Sequence, residues 1–185
     1  MTVPRTLNLI QTANGVRLTS LPVKEMQDLR QQNKMFKDLS IKGEINLTPE
    51  IPFSVTTSEI VLEFANWNES TDFGIRLFNS KGEEVRIGFD STTKQYYLDR
   101  SRSGKSEFSP GFSGKHVVAR ESADAVVRMQ LLVDASSIEL FADDGQVVMT
   151  DVFFPNEDFD QVSLYARSGQ VDLKSGSIND LKSIW

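Results

Sequence analysis

Carboxylates are the first residues to ask about, because general acid–base work on a strong bond usually needs two of them. Asp143 and Asp144 are adjacent and followed by Gly145. Apolar runs flank all three, which is the composition of a tight hairpin turn, where Asp is favoured for backbone reasons. Asp134 and Glu139 flank the bend Ala135-Ser136-Ser137, and a solvated face or local capping accounts for both. His116 is the only histidine and sits beside Lys115 in a polar stretch. No nucleophile or orienting acid lies near it in sequence, so it reads as a surface residue. With one histidine and no cysteine, histidine-cluster metal sites and thiolate chemistry are excluded by count. Gly74, Gly82, Gly88 and Gly104 are scattered and form no phosphate-binding loop. Neither catalytic residues nor a metal nor a cofactor is expected.

Aromatic residues carry the one binding chemistry in view. Trp67 lies between Asn66 and Asn68. An exposed indole can cover the apolar face of a sugar while flanking amides take its hydroxyls. Tyr96 and Tyr97 would join such a site if they stood with it on one concave sheet face. The competing reading is that Trp67 plugs the edge of the fold.

These residues need a framework, and the stretch Val126–Phe154 supplies its clearest part. Val127, Met129, Leu131 and Val133 recur at spacing two, as in a half-buried strand. Ile138–Phe141 resumes after the Ser-Ser bend, and Val147–Met149 returns after Asp-Asp-Gly. Near the start, Thr6–Ile10 and Val16–Leu18 flank Asn14-Gly15, a strong hairpin signal. Lys24–Gln32, with Val23, Met26 and Leu29 near one face, is predicted to be a short helix. Phe36–Ile41 is predicted as a strand, and Gly43–Phe53, with Pro49 and Pro52, as a loop or edge. Further alternating runs fall at Ile60–Ala65, Phe73–Phe78, Val85–Phe89, Gln95–Asp99, Val162–Ala166 and Val171–Lys174. A polar loop spans residues 100–116. Ten to thirteen short strands with frequent turn signals describe an all-β antiparallel sandwich of two sheets with one short N-terminal helix.

Composition narrows the function classes. At 185 residues one domain is the default. A net charge of −6 lacks the basic footprint of nucleic-acid binding. No apolar run approaches the roughly 18 residues of a membrane span, and the first residues lack the pattern of a signal peptide. Twelve Phe against two Trp and three Tyr point to a Phe-rich core.

Several segments, in order, resemble one family. Met1-Thr2-Val3-Pro4-Arg5 is similar to the M-[ST]-[IV]-P-R-E segment of family 32 glycoside hydrolases, with Thr6 where Glu is usual. Leu21-Pro22-Val23-Lys24-Glu25-Met26 with Leu29-Arg30 resembles that family's Q-x-P-V-x-E-L…L-R connector. The run from Leu132 to Phe141 resembles its V-D-R-S-S-V-E-V-F block, with Ala135 in place of Arg. Phe154-Pro155, Leu164-Tyr165-Ala166 and the terminal Leu181–Trp185 follow in register.

The resemblance implies a parent of two parts: a five-bladed propeller carrying the active site, then a jelly-roll or concanavalin-like sandwich. The family's catalytic carboxylates sit in W-M-N-D-P-N-G, R-D-P and E-C motifs, none of which occurs here. The expectation is thus a non-catalytic sandwich, residues 36–185, preceded by a connecting segment, residues 1–35. The parent would hydrolyse β-fructofuranosyl bonds in levan, inulin or sucrose, in a bacterial secreted or periplasmic setting. Leu21, Val23, Met26 and Leu29 would dock on the propeller, with fructan or a second copy as further partners and neither nucleic acid nor membrane among them. The alternative is a free-standing lectin-like module built on Asn66, Trp67, Asn68, Tyr96 and Tyr97.

Overall fold

The computed structural model describes residues 2–12, 15–67 and 72–182. Strands β1 (Arg5–Thr12) and β2 (Gly15–Pro22) form a separate antiparallel hairpin. Its register brings Thr12 opposite Gly15, whose φ is +104°. Asn14 of the expected turn lies outside the described residues.

The short N-terminal helix expected over Lys24–Gln32 is present, in a shorter and tighter form. Lys24–Leu29 is a six-residue 3-10 helix with no buried residue, and strand β3 (Arg30–Asn46) begins at once. Val23 holds the N-cap position in extended geometry and offers no capping side chain, so the first amides gain nothing from helix there. Arg30 instead pairs with Glu59, and the amide of Lys182 donates to the carbonyl of Leu29. β3 runs through position 35 without a break, so it crosses the division expected between residues 35 and 36. It also takes in Gly43–Asn46, the first part of the stretch expected as loop or edge. The Pro-bearing remainder starts with a 3-10 turn at Thr48–Glu50.

The other strands are β4 (Ser58–Ala65), β5 (Asp72–Phe78), β6 (Glu84–Asp90), β7 (Gln95–Arg102), β8 (Lys115–Ala119), β9 (Val127–Asp134), β10 (Ser137–Ala142), β11 (Val147–Val152) and β12 (Gln161–Leu181). β12 organises them. Its first part, Gln161–Arg167, pairs with β5, and its second part, Asp172–Asp180, pairs with β4. The register breaks between Ala166 and Gln170, where Ser168 and Gly169 have φ of +53° and +140°. β3 follows β12 on its other side through both parts. Two layers therefore share one edge: β12-β5-β6-β7-β8 and β12-β4-β9-β10-β11. The bulge lets one strand turn from layer to layer.

Between the layers lies the core. Ile60, Leu62 and Phe64 of β4 and Val127, Met129, Leu131 and Val133 of β9 are buried, as their alternation requires. Phe64 meets Phe73 with ring centroids 5.1 Å apart, Phe73 meets Phe89 at 5.7 Å, and Phe89 meets Tyr96 at 5.2 Å. At the open side, opposite the shared edge, polar side-chain contacts join the layers. Arg120, just after β8, gives Asp143 of the β10–β11 turn two hydrogen bonds of 2.7 and 3.1 Å. His116 of β8 lies 2.9 Å from both carboxylate oxygens of Asp151 on β11.

Candidate functional site

Asp143 and Glu139 are buried in ion pairs, while Asp134 and Asp144 are exposed turn residues. Asp143 is buried, held by Arg120, and has φ of +46° within the turn. Asp144 follows at +56° and Gly145 at +79°, the left-handed run that a primed hairpin turn demands. Glu139 is buried on β10, where it accepts from the Val3 amide at 2.8 Å and from Arg5. It thus ties the start of the chain to the sandwich. Asp134 accepts from the Ala135 amide at 2.8 Å, a local turn contact. Asp151, shared by His116 and Arg100, is buried as well. Its role is to close the open side of the sandwich. Among the described residues, no three His, Asp or Glu side chains gather as a metal would need.

The candidate stacking residues do not form one platform. Trp67 is half-buried and packed against the core; its indole N–H donates to the Ala125 carbonyl at 2.7 Å. Its ring meets Phe89 edge-on at 5.6 Å, and the Lys94 ammonium sits 4.1 Å from its centroid. Asn66, with φ of +52°, turns away and donates to Asp172 at 2.8 Å. Asn68 lies outside the described residues. Tyr96 and Tyr97 are 0% and 2% exposed. Consecutive strand residues point to opposite faces, so Tyr96 enters the core. Tyr97 lies on the other face, its hydroxyl 2.5 Å from Asp72 and bonded to Tyr165. Burial first, then Tyr165 and Asp72 nearby, push the Tyr97 hydroxyl far above the ordinary phenol range. The Lys115 ammonium, 3.8 Å from the Tyr97 centroid, covers that ring. Neither tyrosine offers a face to a sugar.

Leu21, Val23, Met26 and Leu29 are all half-buried. The more exposed apolar surface stands beside them on the hairpin: Leu7, Leu9, Val16 and Leu18 are 61%, 72%, 62% and 58% exposed. Leu9 pairs with Leu18 and Gln11 with Val16, so all four lie on one hairpin face. Its signal in the sequence is the alternation Leu7-x-Leu9 and Val16-x-Leu18. The hairpin is seated on the sandwich by the Ser20 amide, which donates to the Gly145 carbonyl at 3.0 Å. A Cβ at position 145 would come within 2.4 Å of the Ser20 carbonyl oxygen, so glycine is required at this seat.

Comparison with known proteins agrees with this architecture. Residues 25–180 match the family described as glycosyl hydrolases family 32 C terminal. A levanase of Bacillus subtilis (strain 168) is 32% identical over 99% of this chain, and a levanase of Bacillus sp. (strain L7) is 30% identical over all of it. The chain spans only 27% and 20% of the length of those two proteins. Among solved structures, exo-inulinase from Aspergillus awamori superposes over 100% of this chain with a TM-score of 0.87, at 24% sequence identity and 36% of its own length. This all-β chain therefore belongs to the C-terminal domain family of the family 32 glycosyl hydrolases.

Proposed function

We propose that this chain is the non-catalytic sandwich of a fructan-hydrolysing enzyme and braces that enzyme's catalytic domain. The observation that carries the reading is the exposed apolar face of the hairpin, continuous in sequence with half-buried Leu21, Val23, Met26 and Leu29. A soluble domain rarely leaves such a face to water. Burying each Leu against a neighbour is worth roughly 1.5–3 kcal/mol. Paired, buried or turn-bound carboxylates on this chain support placing the chemistry elsewhere. The parent's reaction would be retaining hydrolysis of β-fructofuranosyl bonds in levan, inulin or sucrose by two carboxylates outside these residues. The occupant of the hairpin face is then the preceding propeller of the same parent chain. A free-standing lectin-like module is less well supported, because Tyr96 and Tyr97 are closed to solvent.

The test is to mix this chain with a separately produced propeller of the parent enzyme. The chain is expected to bind it, to lose that binding in the Leu9→Ser/Leu18→Ser variant, and to release no fructose alone. Fructose release by the pure chain would place the active site within these residues and end the proposal.

A further inference from the structure

We propose a second surface on this domain, a site for a neutral fructo-oligosaccharide in the cleft beside Phe108 and Phe154. The proposal rests on the fructan reading above for the identity of the sugar. The loop between β7 and β8 folds back over the chain that leaves β11. The Lys105 amide donates to the Phe154 carbonyl at 2.8 Å. Gly104, with φ of +108°, permits this approach: a Cβ there would lie 2.4 Å from the same carbonyl oxygen.

Three rings come together at the fold-back. Phe108 lies 4.6 Å from Phe112 and 5.7 Å from Phe154, centroid to centroid, and Phe112 stacks on Phe154 at 5.5 Å. Arg100 fixes the cluster from below. Its guanidinium sits 4.0 Å from the Phe112 centroid and donates to the Val152 carbonyl at 2.8 Å. Yet Phe108 remains 63% exposed and Phe154 40%. The rings are ordered by their neighbours, but a large share of their apolar surface still faces water.

The cleft beside them holds about 550 Å³, within the ~300–1,000 Å³ range of small-molecule sites. Phe108, Phe154 and Pro155 form its apolar wall, and Lys105, Ser136 and Asp158 its polar rim. That rim offers an ammonium, a hydroxyl and a carboxylate, so it both donates and accepts. One cation and one anion leave it without net charge. An uncharged ligand with C–H faces for the rings and hydroxyls for the rim fits this chemistry. The cleft opens at the β9–β10 turn, and the hairpin is seated at the β10–β11 turn. β10 separates them by six residues, about 20 Å at ~3.3 Å per residue. A catalytic domain docked on the hairpin thus need not cover the cleft, and a fructan held there would be kept near the enzyme between cleavages.

The experiment is a titration of this chain with levan-type and inulin-type fructo-oligosaccharides and with a malto-oligosaccharide of equal length. Calorimetry and amide NMR shifts serve as readouts. Expected is fructo-oligosaccharide binding with Kd near or below about 1 mM, with shifts centred on Lys105, Ser136 and Asp158. Phe108→Ala should weaken it at least tenfold while leaving the thermal midpoint in place, because that ring is exposed; Trp67→Ala should leave it unchanged. Malto-oligosaccharide binding without fructan binding would overturn the fructan assignment of the cleft. Failure of every sugar to bind the folded chain at about 10 mM, or binding that Phe108→Ala leaves intact, would overturn the cleft and leave the brace standing.

Discussion

The pair Arg120–Asp143 should be the most sensitive point of the sandwich's open side. Its side chains are 5% and 2% exposed, and it spans from the end of β8 to the β10–β11 turn. Burial works against the charge on Arg120, but the hydrogen bonds and attraction of Asp143 outweigh it and hold the guanidinium above its ordinary range. Asp143→Asn is the informative change. Asn tolerates the left-handed backbone at φ of +46° and keeps one acceptor, so the lost charge is isolated from the turn. Breaking a buried pair from one side costs about 3–5 kcal/mol. Arg120 also donates to the Val126 carbonyl at 2.8 Å, and Asn retains one bond, so about 2–3 kcal/mol is expected. For a domain of this size that lowers the thermal midpoint by roughly 4–12 °C. Differential scanning calorimetry at pH 7 with a parallel urea titration measures it. A midpoint within about 1 °C of the parent chain would refute the claim that this pair clamps the layers.

Three other outcomes follow from the same packing. Gly88→Ala places a Cβ 2.5 Å from the Tyr165 hydroxyl and 2.7 Å from the Phe73 carbonyl oxygen; the overpacking should cost about 1–3 kcal/mol in urea unfolding. Trp67→Ala removes the ring that seals Phe89 and should destabilise by about 2 kcal/mol, again by urea midpoint. Acid should weaken the fold through Glu84 and Glu44. Burial alone would raise Glu84, but hydrogen bonds from Arg86 and Arg76 outweigh it and lower the folded value below the ordinary 4.5; Ser163 and Arg76 do the same for Glu44. A folded-state value held below the unfolded one gives stability that is present above pH 4.5 and lost as pH falls through the lowered values. Urea midpoints should therefore be flat from pH 7 to about 5 and fall below that.

Much of this fold was legible because strands such as β4 and β9 alternate between buried and less buried residues. The alternation in β4 and β9, the Asp-Asp-Gly turn and the early hairpin all follow from residue type and spacing. β3 was only partly legible, since it is an edge to both layers and has one strand neighbour. Its first residues, Arg-Gln-Gln-Asn-Lys, meet water on most sides and carry no alternation. The expected helix is shorter and of 3-10 type for a related reason. Val23, Met26 and Leu29 have a spacing that two turns of 3-10 helix also satisfy, and no residue caps a longer helix. Tyr96 and Tyr97 could never have shared a face within one strand, and that much was in the sequence. The Phe108–Phe154 cleft was not, because its walls come from three loops brought together only by the fold.

The brace is tested most directly by the Leu9→Ser/Leu18→Ser variant, with thermal unfolding measured in this chain alone and in the intact parent enzyme. Both leucines face water here, so this chain alone should lose almost nothing. The intact enzyme should lose roughly 3–6 kcal/mol of domain coupling, from two Leu at about 1.5–3 kcal/mol each, and its activity should fail at a lower temperature. Equal small effects in both would mean that no catalytic domain rests on this face and would contradict the account.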